Sequence, residues 1–133
     1  MDGEIRVAIN SDQDIVIARQ RGRTLAMELG FTSGDATLIA TAISELARNI
    51  VSYARKGEIT LRMVNNVDRR GLAITASDKG PGIPDIRQAM RDGFSTSGSL
   101  GMGLPGVRRL MDEFEITSQP GRGTIVAVKK WRQ

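Results

Sequence analysis

Residues 32–57 read TSGDATLIATAISELARNIVSYARKG, and this stretch decides the architecture. Ala36, Ile39, Ala40, Ile43, Leu46, Ala47, Ile50 and Ala54 recur at the three-and-four spacing of a single helix face. Thr32 or Ser33 supplies the N-cap, and Gly57 the stop. The other face carries Thr41, Ser44, Glu45, Arg48, Asn49 and Ser52. A long helix with one apolar stripe needs a surface to cover, and the flanking sequence supplies it.

Upstream, Ile5, Val7 and Ile9 alternate with polar residues as a strand. Ser11 and Asp14 form a capping pair for a helix whose apolar positions run from Ile15 to Leu29. Gly30 ends it, with Phe31 folding back on the last turn. Downstream, Ile59, Leu61 and Met63 form one strand and Leu72, Ile74 and Ala76 the next, with the polar segment 65–71 as a hairpin connection. Pro84 introduces a short helix to about Arg91. The loop 93–103 follows, then a helix marked by Val107, Leu110, Met111 and Phe114. Ile116 belongs to a strand, 120–123 to a turn, and 125–128 to a last strand. The order β-α-α-β-β-α-loop-α-β-β has two pairs of sequential strands, which favours hairpins over parallel crossovers. The expected fold is an α/β two-layer sandwich of the α+β kind. Helices cover one face of a mixed, largely antiparallel sheet, and residues 1–133 form a single domain.

The composition suits such a domain: 133 residues, 40% hydrophobic and 26% charged. There is no cysteine, which excludes a disulfide scaffold, a thiolate metal site and a catalytic thiol. There is no histidine either, which excludes a Ser-His-Asp triad, histidine metal sites and a phosphohistidine. No apolar run is long enough for a membrane span, and the start MDGEIRVAIN has no signal-peptide pattern. The expectation is a cytoplasmic protein with no membrane partner. The net charge is +4, but the basic residues interleave with acids. Three Phe, one Tyr and one Trp offer little base stacking, so no nucleic acid partner is expected.

Four short segments carry chemistry. In Glu45-Leu46-Ala47-Arg48-Asn49, the carboxylate and the amide lie one helical turn apart on one face. An amide oxygen suits Mg²⁺, and a carboxylate can take a proton from a hydroxyl. Alone, the pattern fits a solvated polar face equally well. Asp78-Lys79-Gly80-Pro81-Gly82-Ile83 sits at a strand end, where the glycines admit a close ligand and the aspartate can accept from an exocyclic amine. Alone, it is a common turn. The stretch 93–106, GFSTSGSLGMGLPG, brings Gly98, Gly101 and Gly103 to a helix that begins near Leu104, an arrangement that binds phosphate through free amides. It has neither the Walker nor the Rossmann spacing, so a plain surface loop also fits. In Gly121-Arg122-Gly123-Thr124, a hairpin turn ends in a hydroxyl that could touch a base or its bound water.

Taken together and in this order, the four segments resemble the boxes of the GHKL ATPase/kinase superfamily, with its Bergerat ATP-binding fold. The resemblance covers essentially the whole chain. The absent histidine and the short length set aside the sensor kinases and the multidomain ATPases. The motifs E-L-A-R-N-I, D-K-G-P-G-I-P-D-I and G-F-S-T-S-G-S-L-G-M-G-L-P-G-V are most similar to the stand-alone RsbT-type serine/threonine kinases. The resemblance to the RsbW and SpoIIAB anti-sigma kinases is looser.

That resemblance implies ATP and Mg²⁺ as cofactors. It implies Asn49 as the magnesium ligand and Glu45 as the general base. Asp78 would take the adenine amine, Gly80 and Gly82 would give the nucleotide close backbone access, and Thr124 would sit near the adenine. Gly98, Gly101, Met102, Gly103 and Leu104 would belong to the phosphate-binding segment. Arg48 is a further candidate to stabilise transferred phosphate. Ser95, Thr96 and Ser97 are expected to be lid residues rather than phosphosites. The implied function is a kinase of a bacterial partner-switching stress response. Its substrates would be STAS-domain stressosome proteins of the RsbS and RsbR kind. Once released, it would activate an RsbU-type phosphatase or another downstream regulator. The alternatives are an anti-sigma factor with kinase activity, and a binding module whose ATP is only structural.

Overall fold

The computed structural model describes residues 4–83, 90 and 103–132. Its element order is β1 (Ile5–Ile9), α1 (Asp12–Glu28), α2 (Ser33–Ala54), β2 (Gly57–Asn66), β3 (Arg69–Asp78), α3 (Gly103–Leu110), β4 (Glu113–Gln119) and β5 (Gly123–Trp131). The five strands lie in the order β1-β2-β3-β5-β4. All four pairings between them are antiparallel, so the largely antiparallel sheet contains no parallel pair among the described residues. The helix proposed from Pro84 to about Arg91 and the loop 93–102 lie outside the described residues, apart from Met90.

Alternation along the strands sends one set of side chains to the helices. Ile9, Ile59, Leu61, Ile74 and Val128 are buried there against Ile39, Ile43 and Leu46 of α2. The opposite face carries charge, including the pairs Arg6–Glu58 at 3.7 Å and Lys129–Glu113 at 3.8 Å. Among the described residues the helices therefore cover one face, as the sequence predicts.

The helix ends show which local signals act. Thr32 caps α2, its Oγ1 accepting from the Asp35 N–H at 3.1 Å. At the end of α1, the Phe31 N–H reaches the Ala26 carbonyl and the Gly30 N–H the Met27 carbonyl. That is the Schellman pattern, and Phe31 is buried behind it. The Ser11–Asp14 pair caps differently from expectation. The Ser11 side chain makes no cap bond to the helix, and the Asp14 carboxylate instead accepts from the Asn10 N–H at 2.8 Å.

Three boundaries differ from the sequence reading. Gly57 does not stop α2: Arg55 does, in a left-handed conformation at φ +70°, and Gly57 opens β2. Most of the segment 65–71 is strand, because β2 and β3 run on to a two-residue turn at Val67 and Asp68. Both ends of that ribbon are exposed, so no buried face marks them with alternation. Phe114 is not helical. The helix ends at Leu110, and Phe114 pairs with Val128 across β4 and β5. Asp112 makes the break, its N–H bonding the Lys129 carbonyl and its carboxylate taking the Trp131 N–H at 2.7 Å.

Candidate functional site

The second helix α2 is buried far around its circumference, because α1 packs on one side of it and α3 on the other. Part of its polar face is therefore withdrawn from solvent, although Ser52 stays exposed and Thr41, Arg48 and Asn49 half-buried. Ser44 and Glu45 are buried, Glu45 with only 7% of its surface exposed. A buried carboxylate needs partners, and Glu45 has two. Its Oε2 lies 2.7 Å from Arg48 Nη1, one turn on. Its Oε1 accepts from the Gly103 N–H at 3.3 Å. Gly103 opens α3, where the first amides have no helical partner and the dipole is positive. The structure thus brings the Glu45 carboxylate to the helix start that the sequence assigns to phosphate.

Asn49 and Tyr53 follow Glu45 at one-turn intervals on α2. Both line a narrow cleft of about 20 Å³ between that helix and the sheet. Opposite them stand Asp78, the last residue of β3, and Thr124, near the start of β5. These two are direct partners in the β3–β5 register. Between the polar ends the walls are apolar, formed by Leu46, Ile50, Ala76, Ile83, Leu104 and Val126. The cleft is apolar with a few convergent polar groups, as small-molecule sites are.

One Asp78 oxygen, Oδ1, accepts from the Gly80 N–H at 2.9 Å and closes the turn. The other carboxylate oxygen has no hydrogen-bond partner among the described residues, which leaves an acceptor for an amine on a ligand. The turn that follows is stapled to the β4–β5 hairpin. The Gly121 N–H bonds the Pro81 carbonyl at 2.8 Å, and the Ile83 N–H bonds Ser118 Oγ at 2.7 Å. Gly82 is at φ +83°, and a Cβ there would come within 2.5 Å of the Gln119 carbonyl oxygen, so only glycine lets the two turns meet. Burial pushes the Tyr53 phenol above its ordinary pKa, so its hydroxyl stays protonated at neutral pH and is available as a donor.

Of the residues singled out from sequence, Asn49, Asp78, Gly82, Leu104 and Thr124 line this one cleft. Gly80 lies in its turn, and Gly103 joins it to Glu45. Gly98, Gly101 and Met102, and the lid candidates Ser95, Thr96 and Ser97, lie outside the described residues. Sequence reasoning missed Tyr53 and Ser118. Tyr53 was signalled by its one-turn spacing from Asn49. Ser118 was signalled by alternation with Phe114 and Ile116, which places it on the inner face of β4.

The residues present fit a nucleotide and one magnesium ion. Asp78 lines the cleft, and its second carboxylate oxygen has no hydrogen-bond partner among the described residues. Among the described residues no group of three or more acidic side chains could hold a metal alone. Asn49, on the helix that also carries Glu45, would offer one amide oxygen to Mg²⁺, which commonly completes its shell with phosphates and water.

Residues 34–132 match the family described as "Histidine kinase-, DNA gyrase B-, and HSP90-like ATPase". The chain belongs to that ATPase family. It is 56% identical to "Serine/threonine-protein kinase RsbT" of Bacillus subtilis (strain 168) over 131 residues, which are 98% of each chain. It is 30% identical to "Anti-sigma F factor" of Thermoanaerobacter sp. (strain X514) over 127 residues, 92% of this chain and 89% of that one. The protein of the same description from Clostridium beijerinckii is 28% identical over 127 residues. No helix among the described residues is long and apolar enough to cross a membrane.

Proposed function

We propose that this chain, acting as a single domain, is an ATP-dependent protein serine/threonine kinase of a partner-switching pathway. Its substrates are STAS-domain proteins of the RsbS and RsbR kind. Once released from them it activates an RsbU-type phosphatase or another downstream regulator. The observation that carries the reading is the placement of Glu45. Its carboxylate lies against the first amide of α3, one turn from Asn49, which lines the apolar cleft beside Asp78 and Thr124. The 56% identity to a protein named as a serine/threonine kinase supports the reaction type.

Asp78 and Thr124 hold the base, and the apolar walls exclude water from it. The amides at the start of α3 take the phosphates. Asn49 would hold Mg²⁺, which neutralises charge on the phosphate oxygens when bound. Glu45 accepts the proton of the substrate hydroxyl as that oxygen bonds the γ-phosphorus. The bond from the γ-phosphorus to the bridging oxygen breaks, and ADP leaves. This is positioning and charge neutralisation, as phosphoryl transfer requires.

The experiment is a transfer assay. The chain and Mg·ATP are mixed with a STAS-domain partner, and the partner is weighed intact. A gain of one phosphate is the expected result. No gain on any STAS partner, with ADP still bound, overturns the substrate assignment. The anti-sigma relatives support a second reading, an anti-sigma factor with kinase activity. Direct binding of a sigma factor decides for that one.

Asn49→Ala is expected to weaken magnesium-dependent ADP binding by about tenfold or more, since bonds to charged groups contribute about 1.5–3 kcal/mol. Binding without magnesium should change much less. Calorimetric titration with and without the ion reads the difference. Equal affinity of the variant and the parent in magnesium removes Asn49 as the ligand.

A further inference from the structure

We infer that Ser118 is a positioning residue of the nucleotide cleft, acting through Thr124. The inference rests on the reading of this cleft as the nucleotide site. Ser118 is on β4 and is not a lining residue of the cleft. Its single hydroxyl nevertheless meets three groups. It takes the Ile83 N–H at 2.7 Å, lies 2.8 Å from Thr124 Oγ1, and lies 3.3 Å from the Gly123 carbonyl oxygen.

A hydroxyl has one proton and two lone pairs. One arrangement satisfies all three contacts. Ser118 Oγ accepts from the Ile83 N–H and from the Thr124 hydroxyl, and donates to the Gly123 carbonyl. Thr124 then has its own proton committed to Ser118 and its lone pairs free. Those lone pairs stand on the residue paired directly with Asp78, whose second carboxylate oxygen has no partner among the described residues. Two acceptors side by side match an exocyclic amine, met directly or through one water. The same oxygen ties the end of the 78–83 turn to β4, so base and turn are held by one atom. Without it, the Thr124 rotor and the Ile83 N–H would both lose their partner.

ADP binding by calorimetry tests this. Ser118→Ala is expected to weaken ADP about tenfold, the effect of one buried hydrogen-bonding group. Ser118→Thr, which keeps the hydroxyl, restores most of the affinity. In a Thr124→Val background, Ser118→Ala costs clearly less than in the parent, because the Thr124 contact is already gone and only the Ile83 contact is left to lose. KM for ATP rises while kcat holds, since the transferred phosphoryl lies at the other end of the cleft. If Ser118→Ala fails to fold, Ser118→Cys replaces it in the same cycle. Unchanged ADP affinity overturns the inference. So does an equal loss in both backgrounds, which would place the effect in the fold rather than in Thr124. Asp78→Asn separates the two levels: if it too leaves ADP affinity unchanged, the nucleotide reading of the cleft has failed, and not Ser118 alone.

Discussion

Glu45→Gln is expected to slow phosphate transfer by at least about 10²-fold, the lower bound for a well-placed general base. ADP affinity is expected to hold. The two expectations separate because of where the carboxylate sits. Glu45 lies at the phosphate end, with Oε1 against the Gly103 N–H and Oε2 against Arg48, and it does not line the base cleft. Glutamine has the same shape and keeps an oxygen for the Gly103 N–H, so α3 stays in place. It cannot accept a proton from a hydroxyl. The amide NH2 then meets the Arg48 guanidinium donor to donor, so that contact is lost and Arg48, 36% exposed, turns to solvent. Single-turnover transfer to a STAS partner, with ADP titration beside it, reads both quantities. Transfer at the parent rate removes Glu45 as the base. Loss of ADP binding assigns Glu45 a structural role instead.

On the proposed reading, phosphate and the Glu45 carboxylate are both anions drawn to the start of α3. A phosphate that took the Gly103 amide would free Oε1 for the substrate hydroxyl, while Arg48 would still hold Oε2.

Local pattern carried much of this fold, and its failures have physical causes. The helix α2 was legible because a long apolar stripe and a Thr32 cap agree. The end of α3 was misread because Val107, Leu110, Met111 and Phe114 satisfy a helical period, while Phe114 and Ile116 also satisfy a strand period. The choice is made by Asp112, through bonds to Lys129 and Trp131 far along the chain. Glu45 reads as a surface residue for the same reason: what covers it is the start of α3, brought in from Gly103. Residue types and order placed Asn49, Asp78 and Thr124 in one site. The Ser118 hydroxyl that orders Thr124 also reaches Ile83, a contact that spacing along the chain does not encode.

Gly123→Ala is expected to unsettle the fold and the site together, and Gly121→Ala only mildly the fold. Both glycines have left-handed backbones, at φ +112° and φ +80°. An L side chain in that region costs about 1–2 kcal/mol at either position. They differ in the space around them. A Cβ on Gly121 meets nothing within 4 Å. A Cβ on Gly123 would overlap the Asp78 carbonyl oxygen and lie 2.8 Å from the Lys79 Cα. Those are backbone atoms of the neighbouring strand end and cannot rotate aside. Overpacking of this kind adds about 1–3 kcal/mol. Relief comes only by parting β3 from β5 where Asp78 faces Thr124, the two groups proposed to hold the base. The Gly123 variant is therefore expected to melt roughly 10 °C lower or more, at about 4 °C per kcal/mol for a chain of this size. ADP affinity should fall by about tenfold or more, because a displacement of either polar group breaks its hydrogen bond. The Gly121 variant should lose only a few degrees and bind ADP as the parent does. Melting curves and ADP titrations on the pair test the assignment. Parent-like ADP binding by a folded Gly123 variant would move the base away from the Asp78–Thr124 end of the cleft.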